Sequence, residues 1–167
     1  VKVTEVHEKD GELLHYTDAP LEPGTQVTGR INWQRRFDLM QQHSGEHMVS
    51  GLVHQAYGYD NVGFHMGSDV ITVDFNGILT EAQIREIEQQ VNQKIWENAA
   101  VEIFYPDKDA LETLDYRSKK ELNGQVRIVR FPGVDTCACC GTHVAYTGEI
   151  GMVKLLSVEK FREGVRM

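Results

Sequence analysis

Two long stretches of the chain repeat their apolar residues every three or four positions, which is the spacing of an amphipathic helix. The first stretch covers about residues 34–57. It contains Gly45 and Gly51, which lower helical propensity and therefore indicate a close approach of backbone or ligand. The second stretch opens with a capping-box signature at residues 80–83 and runs to about Asn98. Both stretches predict α-helices.

Shorter stretches of the chain alternate apolar and polar residues, as half-buried β-strands do. The predicted strands are residues 70–75, 101–105, 125–131 and 152–158, and residues 161–167 begin a hairpin partner for the last of them. Residues 107–120 predict a short helix and a loop. Because strands and helices do not alternate strictly, the pattern predicts an α+β fold, in which two long helices pack on a mostly antiparallel sheet.

The first 32 residues predict β-structure of their own. A turn signal at residues 9–11 indicates a hairpin, and residues 27–31 predict a further short strand. A hairpin of this size cannot build its own core. We therefore expect residues 1–33 to be the C-terminal part, or remnant, of a small β-barrel-like module that precedes the main domain at residues 34–167.

The size and composition are those of an ordinary globular protein. The 167 residues are 41% hydrophobic and 25% charged. No apolar run approaches the length of a membrane span, and no charged-then-apolar leader is seen. The three cysteines fall within four residues, which makes a disulfide framework implausible and predicts a reducing, cytoplasmic compartment. Since the chain begins at Val1 rather than Met, we expect a fragment of a longer protein.

The charge of the chain limits the ways in which it can bind nucleic acid. The formal net charge is −8, from 17 basic and 25 acidic side chains. A protein that grips a nucleic-acid backbone usually carries the opposite sign, because it must neutralise phosphates. The charge therefore counts against broad nucleic-acid binding by this chain alone. It is compatible with binding of one terminal nucleotide, or with a partner module that supplies positive charge.

Two clusters of potential metal ligands lie near opposite ends of the chain. His43 and His47 are four residues apart in the first predicted helix, so their imidazoles share one face and can reach a single point. Cys139 and His143 flank a glycine-containing loop. A histidine pair at this spacing is by itself more often a surface or core feature. Together, however, three imidazoles and a thiolate suit tetrahedral Zn²⁺, so the two clusters predict a metal site.

A metal in such a site has two possible uses. If all four residues bind tightly, the site is closed, as structural zinc sites are; if water takes one position, the ion can promote attack on an ester. Glu46 is a candidate to orient or deprotonate that water, although an exposed glutamate is the commoner interpretation. Residues 43–47 also match the H-x-x-E-H pattern of inverted zinc peptidases, in which a later carboxylate completes the site.

The combined motifs resemble the alanyl-tRNA editing family. That family includes the editing domain of alanyl-tRNA synthetase and its freestanding relatives, and threonyl-tRNA synthetase carries a related domain. The resemblance rests on the HxxxH and CxxxH pair and covers about residues 34–167. It continues in residues 63–67, 80–98, 141–144 and 147–151. The freestanding editing proteins are the most similar members, and residues 1–32 resemble the end of the barrel-like module in their longer forms.

The resemblance implies an ATP-independent aminoacyl-tRNA hydrolase that maintains translation fidelity. Members act in trans on mischarged tRNA, chiefly seryl-tRNA(Ala) and to a lesser extent the glycyl form. The expected partner is aminoacylated tRNA(Ala), mainly its 3′-terminal aminoacyl-adenosine, with no membrane and no protein partner expected. The resemblance also implies that zinc is bound by four residues: His43, His47, Cys139 and His143. The alternative function is a zinc-stabilised tRNA-binding module without catalysis.

Three polar residues between the clusters are candidates for contact with the substrate: His65, Ser68 and Thr72. A site that hydrogen-bonds the serine hydroxyl rejects alanine far better than an apolar pocket rejects serine, and each of these side chains, or the metal itself, can supply that bond. His65 is also, with Glu46, a candidate catalytic residue. The synthetase-embedded domains usually carry a glutamine near the position of His65, so this sequence departs from them there.

Overall fold

The computed structural model of the protein describes residues 1–67, 69–118 and 124–167. Within these residues the chain divides into two compact units, Val1–Ile31 and Asn32–Met167. The first unit holds one sheet, and the second holds two sheets and all the helices that the structure describes.

The first unit is a β-hairpin. β1 (Val3–Lys9) and β2 (Glu12–Thr17) pair antiparallel around a turn at Asp10 and Gly11, as predicted. Both turn residues have positive φ, 53° and 81°, which aspartate and glycine tolerate better than most residues. The strand predicted at residues 27–31 is wrong, because no neighbouring strand in this unit pairs with them. The described residues contain no closed barrel.

The second unit combines helices with two antiparallel sheets. Its elements, in chain order, are α1 (Trp33–Tyr57), β3 (Asn61–Met66), β4 (Ile71–Phe75), α2 (Glu81–Trp96), β5 (Glu102–Phe104), α3 (Lys108–Thr113), β6 (Ile128–Phe131), β7 (Asp135–Ala138), a 3₁₀ helix (Thr147–Ile150), β8 (Glu159–Phe161) and β9 (Gly164–Arg166). One sheet has the order β3-β4-β9-β8 and the other β5-β6-β7. The predicted α+β class is confirmed.

α1 is the central helix of this unit and agrees closely with the predicted stretch. The Asn32 side chain accepts a hydrogen bond from the Arg35 backbone N–H at its start, and Gly58 ends it with a left-handed φ of 68°. Ten consecutive residues, 44–53, are buried, so α1 is covered on every side over nearly three turns. No described helix, α1 included, is long and apolar enough to cross a membrane.

α2 packs on the core through a single apolar stripe. Thr80 and Gln83 form the predicted capping box, in which each side chain bonds the backbone of the other residue. The buried residues of α2, at helical spacing, are Ile84, Ile87, Val91 and Ile95. Thr147 anchors the end of this helix from the distant 3₁₀ helix, because its Oγ1 donates to the Lys94 carbonyl oxygen at 3.1 Å. The motif at residues 147–151, which contributes to the family resemblance, thus contacts the end of α2 through Thr147.

Three strand predictions need correction. β3 and β7 are not among the predicted strands, yet β3 pairs with β4, and β7 pairs with β6. Residues 152–158 were predicted as a strand but form none. Side chains of α2 supply hydrogen bonds there in place of a neighbouring strand. Val153 exchanges two hydrogen bonds with the Asn92 side chain, at 2.8 and 2.9 Å, and the Leu155 N–H donates to Glu88 Oε2 at 2.6 Å.

Candidate metal centre

Four predicted ligands come together beside α1. His43 and His47 lie one turn apart, with ring centroids 5.0 Å from each other. The loop after β7 brings His143 to 4.4 Å from His43 and 4.9 Å from His47, measured between ring centroids. The ligand atoms of these three histidines and Cys139 all lie within 4.8 Å of one another. We call these four residues the His/Cys cluster.

Specific contacts hold the loop of residues 139–143 against α1. The Arg127 guanidinium donates through Nη1 to the carbonyl oxygens of Cys139 (2.6 Å) and Gly141 (3.0 Å). The Val144 N–H donates to Ser44 Oγ at 3.1 Å. A Cβ at Gly141 would lie 2.3 Å from His43 Cε1, so only glycine allows the loop to approach this closely. These contacts place the loop's ligands opposite the helical ones.

The hydrogen bonds of the helical histidines leave one nitrogen of each ring for a metal. His43 Nδ1 lies 3.2 Å from the Thr142 carbonyl oxygen, which can only accept, so Nδ1 carries the proton. His47 Nδ1 lies 2.8 Å from Asp135 Oδ2 and donates in the same way. Nε2 of each ring is therefore the nitrogen that can bind a metal.

One distance between ligand atoms matches that expected around a tetrahedral zinc ion. Zn–N and Zn–S bonds of about 2.05 and 2.3 Å at a tetrahedral angle place N and S about 3.6 Å apart. Cys139 Sγ and His43 Nε2 are 3.6 Å apart. Both ring nitrogens of His143 are buried and make no hydrogen bond of ordinary geometry within the described part of the chain. A buried nitrogen without a partner is costly, and a bound metal would satisfy one of them.

The electrostatics of the cluster favour a thiolate at Cys139. Burial raises the pKa of this thiol, but the imidazoles of His143, His43 and His47 outweigh burial and bring its pKa to about 3. Burial also lowers the pKa of His143. Burial also lowers the pKa of His47, but its hydrogen bonds to Asp135 and Cys139 outweigh burial and raise this pKa to about 9. Since zinc binds a thiolate and neutral imidazoles, its binding must release a proton from His47. Cys137 behaves differently, because burial and the nearby Asp135 carboxylate raise its pKa to about 12.

A second group of potential ligands, formed by His47, Asp135 and Cys137, is a poorer metal site. Its ligand atoms also lie within 4.8 Å of one another. The Asp135 carboxylate, however, already accepts two hydrogen bonds from Arg117, at 2.8 Å each. The raised pKa of Cys137 keeps this thiol protonated, whereas a metal requires the thiolate.

Glu46, which falls between His43 and His47 in the sequence of α1, is buried. Glu46 is only 2% exposed, so the expectation of an exposed glutamate is wrong. Its Oε1 accepts hydrogen bonds from Ser50 Oγ at 2.6 Å and from the Asn61 side-chain amide. The inverted-peptidase pattern needs a glutamate that reaches water and a further carboxylate ligand. The buried contacts of Glu46, and the engagement of Asp135 by Arg117, count against that pattern.

The predicted substrate residues are not gathered at the cluster. His65 on β3 pairs directly with Thr72 on β4. The adjacent Phe64 stacks over the His43 ring, with centroids 5.8 Å apart, and successive strand residues point to opposite faces. His65, which is exposed, and Thr72 therefore point away from the cluster. Thr72 lines a separate cavity of about 530 Å³. Ser68 lies outside the described residues.

Four residues around the cluster were not identified from the sequence. Phe64 and Phe131 form aromatic walls, and Phe131 lies 5.5 Å from His47 between ring centroids. Asp135 and Arg117 form the ion pair behind His47. The alternation of residues 61–66 could have indicated Phe64, had this stretch been assigned as a strand. No local pattern links Asp135 or Arg117 to a histidine so distant in sequence.

Comparisons with known proteins relate the chain to tRNA editing proteins and tRNA ligases. Residues 126–166, which include Cys139 and His143, match the family described as the threonyl and alanyl tRNA synthetase second additional domain. The chain is 35% identical to the alanyl-tRNA editing protein Aarsd1 of Mus musculus and 38% identical to Aarsd1-A of Xenopus laevis, over 96% of its own length. It spans 40% of the length of each of these relatives. It is also 31% identical to the alanine–tRNA ligase of Ignicoccus hospitalis, covering 98% of this chain and 19% of the ligase.

Proposed function

We propose that this chain, as a member of the alanyl-tRNA editing family, is an aminoacyl-tRNA hydrolase. It acts in trans on mischarged seryl-tRNA(Ala). Glycyl-tRNA(Ala) is a second, poorer substrate in this proposal. The observation that supports it best is the partly buried His/Cys cluster, whose four ligand atoms lie within 4.8 Å of one another. The reaction adds water across the ester bond, which releases the amino acid and leaves the terminal ribose hydroxyl on the tRNA.

In this proposal the His/Cys cluster holds zinc. The ion, when bound, supplies Lewis acidity toward the ester carbonyl. Cys139 contributes a thiolate, and His43 and His47 present Nε2 because their Nδ1 atoms are engaged. Phe64 and Phe131 cover neighbouring rings, and apolar walls of this kind keep bulk water from competing at the site. The chain's own residues thus orient the ligands and shield them.

The acidic charge of the chain is compatible with this substrate. With a formal charge of −8, the chain is poorly suited to hold the phosphate backbone of a whole tRNA. We infer that it handles the 3′-terminal aminoacyl-adenosine, and that positively charged parts of a longer protein hold the tRNA body. The units Val1–Ile31 and Asn32–Met167 support a module boundary near residue 33 and an editing domain from residue 34 onward.

The role of Glu46 in activating water stays a prediction. Its carboxylate is buried and accepts hydrogen bonds from Ser50 and Asn61, two residues that are also buried. These contacts support a structural role, in which Glu46 joins α1 to the start of β3. Glu46→Gln separates the two roles. A water-activating role requires a large loss of kcat with little change in stability, whereas a structural role mainly lowers the melting temperature.

The direct test is deacylation of three charged tRNAs by the purified protein with one equivalent of zinc. We expect serine to be released from seryl-tRNA(Ala) and alanyl-tRNA(Ala) to be largely spared. A site that binds the serine hydroxyl can discriminate by a factor of about 10⁴, whereas an apolar pocket reaches about 10². Glycyl-tRNA(Ala) should react more slowly than the seryl form. Equal hydrolysis of seryl- and alanyl-tRNA(Ala) would contradict the proposed specificity.

The alternative is a zinc-stabilised tRNA-binding module without catalysis. One observation favours it: the cluster offers four protein ligands, and a site with four protein ligands is usually closed and structural. His47→Ala distinguishes the two functions. Loss of the folded circular-dichroism spectrum together with zinc supports the structural module. A folded variant that no longer deacylates seryl-tRNA(Ala), although the wild-type protein does, supports the hydrolase.

A further inference from the structure

A buried ion pair lies directly behind one of the candidate ligands. The Asp135 side chain is 1% exposed, and its Oδ2 lies 2.8 Å from His47 Nδ1. The Arg117 guanidinium binds the same carboxylate through two nitrogens. Nε donates to Oδ1 and Nη2 donates to Oδ2, at 2.8 Å each. The Arg117 side chain is 13% exposed. The carboxylate therefore accepts three hydrogen bonds in a region that excludes most water.

The backbone holds this pair at a fixed position relative to the cluster. Arg117 forms a parallel bridge with Cys137 of β7. Its N–H donates to the Thr136 carbonyl oxygen at 2.8 Å, and its carbonyl oxygen accepts from the Ala138 N–H at 2.9 Å. Asp135 belongs to the same strand, which runs on to Cys139. Arg117, Asp135 and the thiolate ligand are thus carried by one hydrogen-bonded segment.

α1 contacts this segment about one and two turns beyond His47, at Gly51 and Gln55. The Gln55 side-chain amide donates to the Val134 carbonyl oxygen at 2.7 Å. Gly51 allows the contact, since a Cβ there would lie 2.4 Å from the Val134 oxygen and 2.7 Å from Asp135 Cβ. The distance between His47 and Asp135 is therefore set by backbone packing as well as by their hydrogen bond.

We propose that Asp135 and Arg117 are a positioning pair that fixes the Nδ1–H form and the ring orientation of His47, so that Nε2 points into the His/Cys cluster. The inference rests on the proposed zinc site. Ionised Asp135 can only accept hydrogen bonds, so it requires a proton on His47 Nδ1. Arg117 binds both carboxylate oxygens in a bidentate geometry and prevents the carboxylate from rotating. Carboxylates that hold metal-binding histidines in this way strengthen metal binding.

Asp135→Asn tests the pair with little change in shape. Its amide oxygen can face His47 or Arg117, but its NH₂ group then meets a second donor, so the network cannot be satisfied. Asp74→Asn is the matched control, because Asp74 forms the same bidentate pair with Arg166 (2.6 and 2.8 Å) in the other sheet of this unit. We measure zinc affinity by competition with a chromophoric chelator. We expect a 10- to 100-fold loss for Asp135→Asn and less than about twofold for the control.

Equal zinc affinity in Asp135→Asn and wild type would overturn the inference, as would an equal loss in both variants. If Asp135→Asn fails to fold, Arg117→Lys replaces it, since lysine keeps the positive charge but cannot form the bidentate pair of hydrogen bonds. A smaller loss of zinc affinity is expected for that variant, and wild-type affinity would contradict the pair.

Nuclear magnetic resonance of ¹⁵N-labelled wild-type protein gives a readout that does not depend on activity. We expect a slowly exchanging His47 Nδ1–H proton with or without zinc, and coordination through Nε2 when zinc is added. Coordination through Nδ1, or an Nδ1 atom without a proton, would overturn the positioning role. Absence of zinc binding by the wild-type protein would instead contradict the proposed function, and the Nδ1–H signal would still decide whether the pair holds His47.

Discussion

Gly51 is the residue at which α1 comes closest to the strand that carries Asp135. A methyl group at this position would lie 2.4 Å from the Val134 carbonyl oxygen, whereas ordinary contacts begin near 3.4 Å. Backbone must therefore move by about 1 Å in Gly51→Ala, because no flexible side chain can give way. A shift of that size at Asp135 would stretch the 2.8 Å hydrogen bond to His47 beyond the usual range.

The magnitudes decide the sign of the effect. Alanine gains about 1 kcal/mol of helix propensity over glycine. Overpacking of a close contact costs about 1–3 kcal/mol, and loss of a charged hydrogen bond adds about 1.5–3 kcal/mol. We therefore expect Gly51→Ala to lower the free energy of unfolding by about 1.5–5 kcal/mol. Zinc affinity should fall with it, since His47 loses its orientation.

Gly45→Ala is the matched control, because it lies in the same buried part of α1. Its added methyl would meet only the Val153 Cγ2 atom at 3.2 Å and the Ile150 Cγ2 atom at 3.8 Å, which are side-chain methyls. We expect its stability to lie between that of wild type and about 1 kcal/mol above it. Urea unfolding of zinc-free protein, followed by circular dichroism, measures both variants. Gly51→Ala within about 0.5 kcal/mol of Gly45→Ala would refute the close-approach argument.

Two further predictions concern stability. Thr80→Ala removes the capping box shared with Gln83 and should destabilise the domain by about 0.5–2 kcal/mol in urea unfolding, whereas an unchanged midpoint would show that α2 does not need the cap. The hydrogen bond from Arg166 lowers the pKa of Asp74, so its stabilising effect is present above the unfolded-state pKa of about 3.9 and is lost as pH falls through the folded-state value. The stability difference between wild type and Asp74→Asn should therefore shrink as the pH falls below about 3.9, and a constant difference would contradict the pair.

The sequence predicts the helices well because their signals are local. The capping box and the stripe of apolar residues in α2 lie within sixteen residues, and both are found in the structure. α1 was predicted in spite of Gly45 and Gly51, whose expected close contacts are also found. Periodicity over many turns outweighs the cost of two glycines, since buried packing stabilises the helix more than propensity does.

The strands were less predictable, because a strand needs a partner that local sequence does not show. Residues 152–158 alternate like a strand, but the side chains of Asn92 and Glu88 supply hydrogen bonds there. The cysteine-rich sequence of β7 does not indicate a strand. In the structure, β6 on one side and Arg117 on the other form its backbone hydrogen bonds. The contacts of residues 152–158 come from side chains 61 and 67 positions away, and Arg117 lies outside the local sequence of β7, so neither can be predicted from local alternation.

The candidate site shows the same division. The spacing of His43 and His47 and of Cys139 and His143 is local, and the structure brings the two pairs together. The ion pair that supports His47 is not local, since 88 residues separate His47 from Asp135. Local sequence also does not show which face of the sheet a strand residue occupies. In the structure Phe64, rather than its neighbour His65, lies over the His43 ring of the cluster.

We propose that Cys139, and not a neighbouring cysteine, completes a zinc site used for deacylation. Its thiol lies among three imidazoles, whereas Cys140 is exposed and the pKa of Cys137 is raised to about 12. The most direct measurement is zinc stoichiometry and seryl-tRNA(Ala) deacylation for Cys139→Ser beside Cys137→Ser and Cys140→Ser. We predict that Cys139→Ser loses both zinc and activity, while the other two variants keep one equivalent and near-normal rates. A full equivalent of zinc in Cys139→Ser would contradict the account.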